Sequence, residues 1–231
     1  MTPTADHLDS DPLIALYLER KHDLNIFMEG VGSYIGTHPK LNVPGREIVH
    51  SFKSRLKDEN HLGEKIKRKR IDGRHIDENN LFQQITDLAG VRILHLCQEM
   101  FEEIDAIIRQ KVNSGDWWLH EKPKAFTWDP EASLYFKNFD LEVEEKPTFY
   151  TSVHYIVRPR SDSPLCCEIQ VRTLFEEIWG EVDHRINYPE KSGDVACVEQ
   201  IKVLSKIVGA GSRLLDSLRR THRLSETDPR L

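Results

Sequence analysis

Two acids, Asp87 and Glu168, stand far apart in the chain, yet each sits in a run of strand-forming residues: ITDLAGVRILHL over Ile85 to Leu96, and CCEIQVRT over Cys166 to Thr173. A carboxylate inside such a run is costly unless a partner or a ligand meets it. Two of them are what a magnesium site for phosphates requires, because Mg2+ is held by one or two carboxylates and completes its shell with waters and phosphate oxygens. Counter-ions for the remaining phosphate charge are at hand. Lys65 to Arg70 reads KIKRKR, with Arg55 and Lys57 upstream and Arg74 behind. A charge run taken alone is normally a solvated face, but crowded cations repel, so an anionic ligand would relieve a real cost. Tyr150 has a ring that can stack on a base, and His154 can donate to a phosphate oxygen or hold a proton in transit. Taken singly none of these is specific, since a strand Asp is more often a cap and a strand Tyr or His more often core or surface.

The elements that must position these groups follow from periodicity. Tyr150 to Val157 alternates with period two, placing Tyr150, Ser152, His154 and Ile156 on one face. In the next run Glu168, Gln170 and Arg172 point one way. The short, turn-rich loop between the runs predicts an antiparallel hairpin; if its polar rows share a face, Tyr150, His154, Glu168 and Gln170 converge. Strict alternation sets Asp87 and Arg92 on opposite faces, so for both to reach one ligand the strand must begin after Asp87 or bend at Gly90.

Upstream, Pro44 followed by Ile48, Phe52 and Leu56 at four-residue spacing predicts a helix over Val43 to Lys57. A second helix over Leu62 to Arg70 would bring Lys65, Arg68 and Lys69 to one face. A looser helix over Pro12 to Phe27 is expected to break at Gly30, Gly32, Gly36 and Pro39, and its His22-Asp23 pair reads as helix surface. A helix over Glu99 to Lys111 ends at Asn113-Ser114-Gly115, and residues 116–146 hold a strand and an irregular insertion. A helix over Leu174 to Ile186 stops at Pro189. The last helix, Val195 to His222, carries Ile201, Leu204, Val208, Gly211, Leu215 and Leu218 as the seam of a helix pair, whose other member is a partner subunit or the N-terminal helices. SETDPRL reads as a disordered tail. The segmentation expected is 1–42 as a helical extension, 43–190 as the functional domain, 191–223 as the C-terminal helix and 224–231 as the tail.

Composition narrows the partners. The 231 residues carry a formal net charge of −6, which argues against binding nucleic acid through overall charge and leaves only a local basic patch for that role. No apolar run approaches the roughly 20 residues that span a bilayer. MTPTADHLDSDP is acidic and polar, unlike a signal peptide, so the chain reads as soluble and cytoplasmic. Cys97, Cys166, Cys167 and Cys197 form neither a CxxC pair nor a zinc spacing and read as reduced structural thiols.

The order SRLK, KIKRKR, DLAGVRI, YTSVH, EIQVRT and then DHRINYP strongly resembles the RelA/SpoT synthetase domain of alarmone synthetases, over roughly Phe52 to Tyr188. DLAGVRI and EIQVRT are its most specific motifs. The resemblance implies an α+β fold, a mixed five-stranded sheet flanked by helices and related to nucleotidyltransferases. It implies transfer of the β,γ-pyrophosphate of ATP to the ribose 3′-hydroxyl of GDP or GTP. By position, Asp87 and Glu168 would bind Mg2+, with Glu168 also a candidate for activating the acceptor hydroxyl. Arg55 and Arg92 would sandwich the adenine, and Lys57, Lys65 and Arg68 would grip the ATP phosphates. Tyr150 would stack on guanine, while Lys146, His154 and Gln170 would line the acceptor and pyrophosphate site.

Three positions depart from the family pattern. His61 stands where a serine is usual; Phe149 replaces the glycine of a Lys-x-Asn-Gly-Tyr loop; Glu177 stands where small synthetases often carry an Asn near the guanine. The departures fall mainly on the acceptor side, so the donor is better supported than the acceptor. Two other readings therefore stand beside a small alarmone synthetase that forms homo-oligomers through its C-terminal helix. One is a relative that modifies the tRNA 3′ end or adenosine nucleotides. The other is a nucleotide-binding regulator without catalysis, against which the retention of both acids speaks.

Overall fold

The computed structural model describes residues 12–146, 148–187 and 193–227, with side chains as far as residue 222. The motif DHRINYP runs into residues 188–192, and Tyr188 and Pro189 lie outside the described residues. In chain order the elements are helix α1 (Pro12–Gly36), strands β1 (Asn42–Val43), β2 (Arg46–Glu47) and β3 (Ser51–Leu56), and helices α2 (Glu59–Ile71) and α3 (Leu81–Gln84). Next come β4 (Ala89–His95), a 3-10 turn at Gln98–Met100, α4 (Phe101–Asn113), β5 (Trp118–Leu119), β6 (Lys124–Thr127), α5 (Pro130–Phe136) and β7 (Glu142–Glu145). Strands β8 (Ser152–Arg158) and β9 (Cys167–Thr173) and helices α6 (Leu174–Asn187) and α7 (Val195–Thr227) complete the chain.

The main sheet runs β3-β4-β9-β8-β6-β7, with the short β5 also paired to β8. It is mixed, as expected, with seven strands rather than five. Strands β4 and β9 are parallel, while β3 with β4, β8 with β9 and β6 with β8 are antiparallel. The Tyr150 to Thr173 region is thus the antiparallel pair that its alternation predicts. On one face Val91, Ile93, Val153, Tyr155, Val157, Ile169 and Val171 join a single core with α1 residues such as Tyr17, Leu24 and Ile35 and with Ile104 and Ile108 of α4. Tyr155 donates its hydroxyl to the buried carboxylate of Asp105, which also holds Arg109.

Three expectations fail for identifiable reasons. The helix over Val43 to Lys57 is absent: Pro44 and Gly45, the latter at φ +77, make the turn between β1 and β2, and SFKSRL is an edge strand. Pro followed by a glycine with positive φ is a turn signature, and it outweighs a four-residue apolar spacing. Helix α1 runs through Gly30 and Gly32 and ends only at Gly36. A Cβ on Gly36 would lie 2.1 Å from the Phe52 ring, and one on Gly32 would lie 2.8 Å from Ser54 Oγ. Both glycines let α1 seat on β3, and of the two only Gly36 coincides with a helix stop. We expect Gly36→Val to cost about 1–3 kcal/mol in urea unfolding, by overpacking; wild-type stability in that variant would contradict the contact. Lastly, residues 116–146 are ordered as β5, β6, α5 and β7 rather than irregular.

Helix α7 reaches Thr227, four residues into the expected tail. Its seam packs within the chain, but on α6 and not on the N-terminal helices. Ile201 and Val208 cluster with Trp179 and Phe175, and a Cβ on Gly211 would meet the Phe175 ring at 2.9 Å. Asp216 accepts from the Glu99 backbone N–H, and Arg219 pairs with Glu103. Leu218, assigned to the seam, is exposed. Cys97, Cys166 and Cys167 are buried free thiols and Cys197 is partly exposed and free.

Candidate active site

The second face of the sheet is polar, and its register lines up two rows of side chains. One row runs Lys53, Arg92, Gln170, His154 and Lys124 across five strands. The other runs Arg55, Gly90, Glu168 and Ile156. A Cβ on Gly90 would make only ordinary contacts, so this glycine is not needed for packing; it leaves open space between Arg55 and Glu168.

Asp87 sits just before β4, which begins at Ala89, so the alternation problem disappears: Arg92 points from the strand and Asp87 from the loop ahead of it. Lys57 Nζ and Lys65 Nζ both bind Asp87 Oδ2, at 2.8 and 2.6 Å. Asp58 makes this geometry local, since it caps α2 by accepting from the backbone N–H groups of Asn60 and His61 and starts the helix that carries Lys65. Burial pushes the Asp87 carboxyl up, but the two lysines outweigh it and hold the pKa at about 2. The other oxygen, Oδ1, is buried without a hydrogen-bond partner.

Glu168 is held from two sides. His154 Nδ1 lies 2.9 Å from Oε1, and Gln170 Nε2 donates to Oε2 at 2.7 Å. Tyr150 Oη is 2.9 Å from His154 Nε2. An ionised Glu168 can only accept, so Nδ1 carries the proton toward it, and in the neutral ring Nε2 then accepts from the tyrosine. Burial raises the Glu168 pKa, yet its contacts with His154 bring it below the ordinary value even though Asp87 is near enough to oppose them.

Other expected site residues are placed less tightly. Arg55 and Arg68 are exposed, on β3 and α2. Lys146 Nζ pairs with Glu144 at 2.6 Å and lies 4.4 Å from the Phe126 ring centroid; that ring meets His154 edge-on. The Lys146 loop continues through Phe149, which adopts φ +61 and packs on Trp128. A phenylalanine in the left-handed region is strained relative to glycine, so packing with Trp128 must hold it there.

Arg92 is held along the edge of its guanidinium. It donates to Glu177 at 2.9 and 3.1 Å and to Gln170 Oε1 at 3.4 Å. Lys53, Arg172 and Glu181 are not among the expected site residues, although the strand alternation already puts Arg172 in the polar row, and Glu177 is marked by the sequence only as a departure near the guanine. Glu177 and Glu181 are four apart on α6, a spacing that puts both toward one neighbour.

The donor set fits magnesium. Among the described residues no three or more His, Cys, Asp and Glu side chains form a metal cluster, but Mg2+ needs only one or two carboxylates, and the orphaned Asp87 Oδ1 beside Glu168 supplies an open oxygen. The depressed Asp87 pKa has its own consequence in metal-free buffer. A carboxyl whose pKa drops on folding from 3.8 to about 2 stabilises the fold above 3.8, and that contribution is lost as pH falls through about 2. The stability advantage of wild type over Asp87→Asn should therefore shrink by roughly 2 kcal/mol between pH 5 and pH 2. A constant difference in urea titrations over that range would contradict the lysine clamp.

Comparison with known proteins gives the chain a family and a fold. Residues 54–193 match a family model described as a region found in RelA / SpoT proteins. A GTP pyrophosphokinase family protein from Streptococcus pneumoniae superposes with a TM-score of 0.64 at 18% identity, covering 94% of this chain and 96% of that one. Small alarmone synthetase 1 from Bacillus subtilis gives 0.62 at 16% identity, covering 91% and 95%. The same Bacillus subtilis protein bound to its product pppGpp gives 0.60 at 18% identity, covering 90% and 94%. At such identities the likeness is one of fold. No curated protein matches the chain in sequence.

Proposed function

Because this chain belongs to the RelA/SpoT family, we propose that it is a pyrophosphokinase that moves the β,γ-pyrophosphate of ATP to the ribose 3′-hydroxyl of GDP or GTP, making ppGpp or pppGpp. The observation that carries this reading is the pairing of Asp87, clamped by Lys57 and Lys65 with one oxygen open, with an ionised Glu168 on the same side of the sheet. Asp87 and Glu168 would hold Mg2+, which when bound neutralises phosphate charge and supports displacement at phosphorus. Each lysine ammonium has three donors and spends one on Asp87, so Lys57 and Lys65 keep donors for the ATP phosphates, joined by the exposed Arg68. Arg55 and Arg92 flank the adenine, and Tyr150 stacks on the acceptor base. Glu168 takes the proton of the 3′-hydroxyl, with His154 Nδ1 and Gln170 fixing its orientation, and Lys146 faces the transferred group. Transfer of this kind depends mainly on positioning and charge neutralisation.

A second reading changes only the acceptor, to a tRNA 3′ end or an adenosine nucleotide. What favours it is Phe149 in the acceptor loop, together with exposed Lys67, Arg68 and Arg70 on α2. The discriminating assay supplies γ-labelled ATP and Mg2+ with GDP, GTP, ADP or deacylated tRNA in turn. Label on GDP or GTP supports the first reading, label only on tRNA or ADP replaces it with the second, and no transfer to any acceptor leaves a nucleotide-binding regulator.

Helix α7 also exposes Val203, Ile207, Leu214 and Leu218, an apolar stripe at near-heptad spacing, on which we place a homo-oligomer contact. Light scattering that reports a monomer at micromolar concentration would remove it. Among the described residues no helix is long and apolar enough to cross a membrane, and the cytoplasm, where these nucleotides are made and used, is the proposed compartment.

A further inference from the structure

Among the described residues, Glu177 of α6 is the one acid that touches cations from both halves of the site. Arg92 Nη1 lies 2.9 and 3.1 Å from its two oxygens, Lys53 Nζ lies at 3.3 Å, and Arg172 Nη2 closes on Oε2. Its side chain is only 7% exposed. Arg172 is buried as deeply, and its guanidinium carbon lies 5.8 Å from the Tyr150 ring centroid. Helix α6 passes this guanidinium closely enough that a Cβ on Gly180 would stand 2.9 Å from Arg172 Nη1. Arg172 Nε has no hydrogen-bond partner, so Glu177 is the main compensation for a buried charge.

We propose that Glu177 is a positioning residue that fixes two base-stacking platforms with one carboxylate: Arg92 for the donor base and, through Arg172, Tyr150 for the acceptor base. The inference rests on the function proposed above. On the donor side, Arg92 is held at its edge, by Glu177 through Nη1 and by Gln170 through Nε. Edge contacts fix the plane of a guanidinium and leave its faces free to stack on a base, which a loose side chain would have to be ordered to do. On the acceptor side, Arg172 sits against the Tyr150 ring, and the hydroxyl of that ring is tied to His154. Moving Arg172 would therefore tilt the surface that meets the acceptor base. An amide at position 177 could not gather three cations, so the acid found here serves the protein's own arginines rather than reading a base.

The test compares wild type with Glu177→Gln and Glu177→Asp, using steady-state transfer from ATP to GDP and to GTP, and calorimetric binding of a non-hydrolysable ATP analogue. Glu177→Gln is expected to raise KM for ATP and for the acceptor by about tenfold each with kcat within about threefold, and to weaken analogue binding about tenfold, because ground-state positioning is lost more than the chemistry. Glu177→Asp, which keeps the charge, should recover part of both. Unchanged KM values, or a change confined to one substrate, overturn the proposal. If Glu177→Gln does not fold, Arg92→Lys and Arg172→Lys carry the test: the first must weaken ATP and the second the acceptor, and an unaltered acceptor KM in Arg172→Lys overturns it. A wild-type protein that transfers nothing defeats the proposed function itself, whereas an active wild type matched by Glu177→Gln defeats only this inference.

Discussion

Asp87→Ala and Glu168→Ala should each lower transfer from ATP by at least about a thousandfold while leaving the protein folded, the scale expected when a preorganised charge at the reacting phosphate is removed. Asp87→Ala removes the open oxygen Oδ1 and also the anion that gathers Lys57 and Lys65, whose ammonium groups are then left side by side. Glu168→Ala removes the group that His154 and Gln170 orient. Circular dichroism must show intact structure for either rate to count, and a folded variant within tenfold of wild type would mean that the metal and proton roles lie elsewhere.

The second large effect belongs to the lysines. Lys57→Ala and Lys65→Ala are each expected to cost about a hundredfold in kcat/KM for ATP, and the double variant more than the product of the two. Both ammonium groups sit on the same Asp87 oxygen, so each partly covers the loss of the other, and residues that act as a unit are not additive. Lys65→Arg should not restore the rate, because a planar fork cannot take the place of a compact ammonium reaching from α2. Near-additive losses would indicate that the lysines bind phosphate independently and not as a pair preset by Asp87.

Much of the site could be read from the residues because it lies on strands, where period-two alternation fixes facing directly. Tyr150, His154, Glu168 and Gln170 converge as their alternation requires, and the cost of Asp87 and Arg92 in one apolar stretch is resolved by the start of β4 at Ala89. What escaped were effects that depend on tertiary approach. Gly32 and Gly36 look like helix breakers until Phe52 is laid across them, and SFKSRL looks helical until the turn at Pro44-Gly45 turns it into an edge strand. The part of Glu177 escaped for the same reason: its partners come from β3, β4 and β9, and only the folded sheet brings Lys53, Arg92 and Arg172 to one carboxylate. The seam of α7 was legible as a packing surface, but its partner α6 was not, because periodicity describes one face and not what covers it.

Pyrophosphate transfer on this polar face, as proposed, is reported most directly by its leaving group. Transfer of the β,γ-pyrophosphate releases AMP and places both transferred phosphoryl groups on the acceptor. Purified protein with ATP, Mg2+ and GDP or GTP should release AMP in a one-to-one ratio with an acceptor product that carries label from both the β and γ positions. Release of ADP with only γ label on the product, or no nucleotide turnover with either guanine acceptor, would contradict the account.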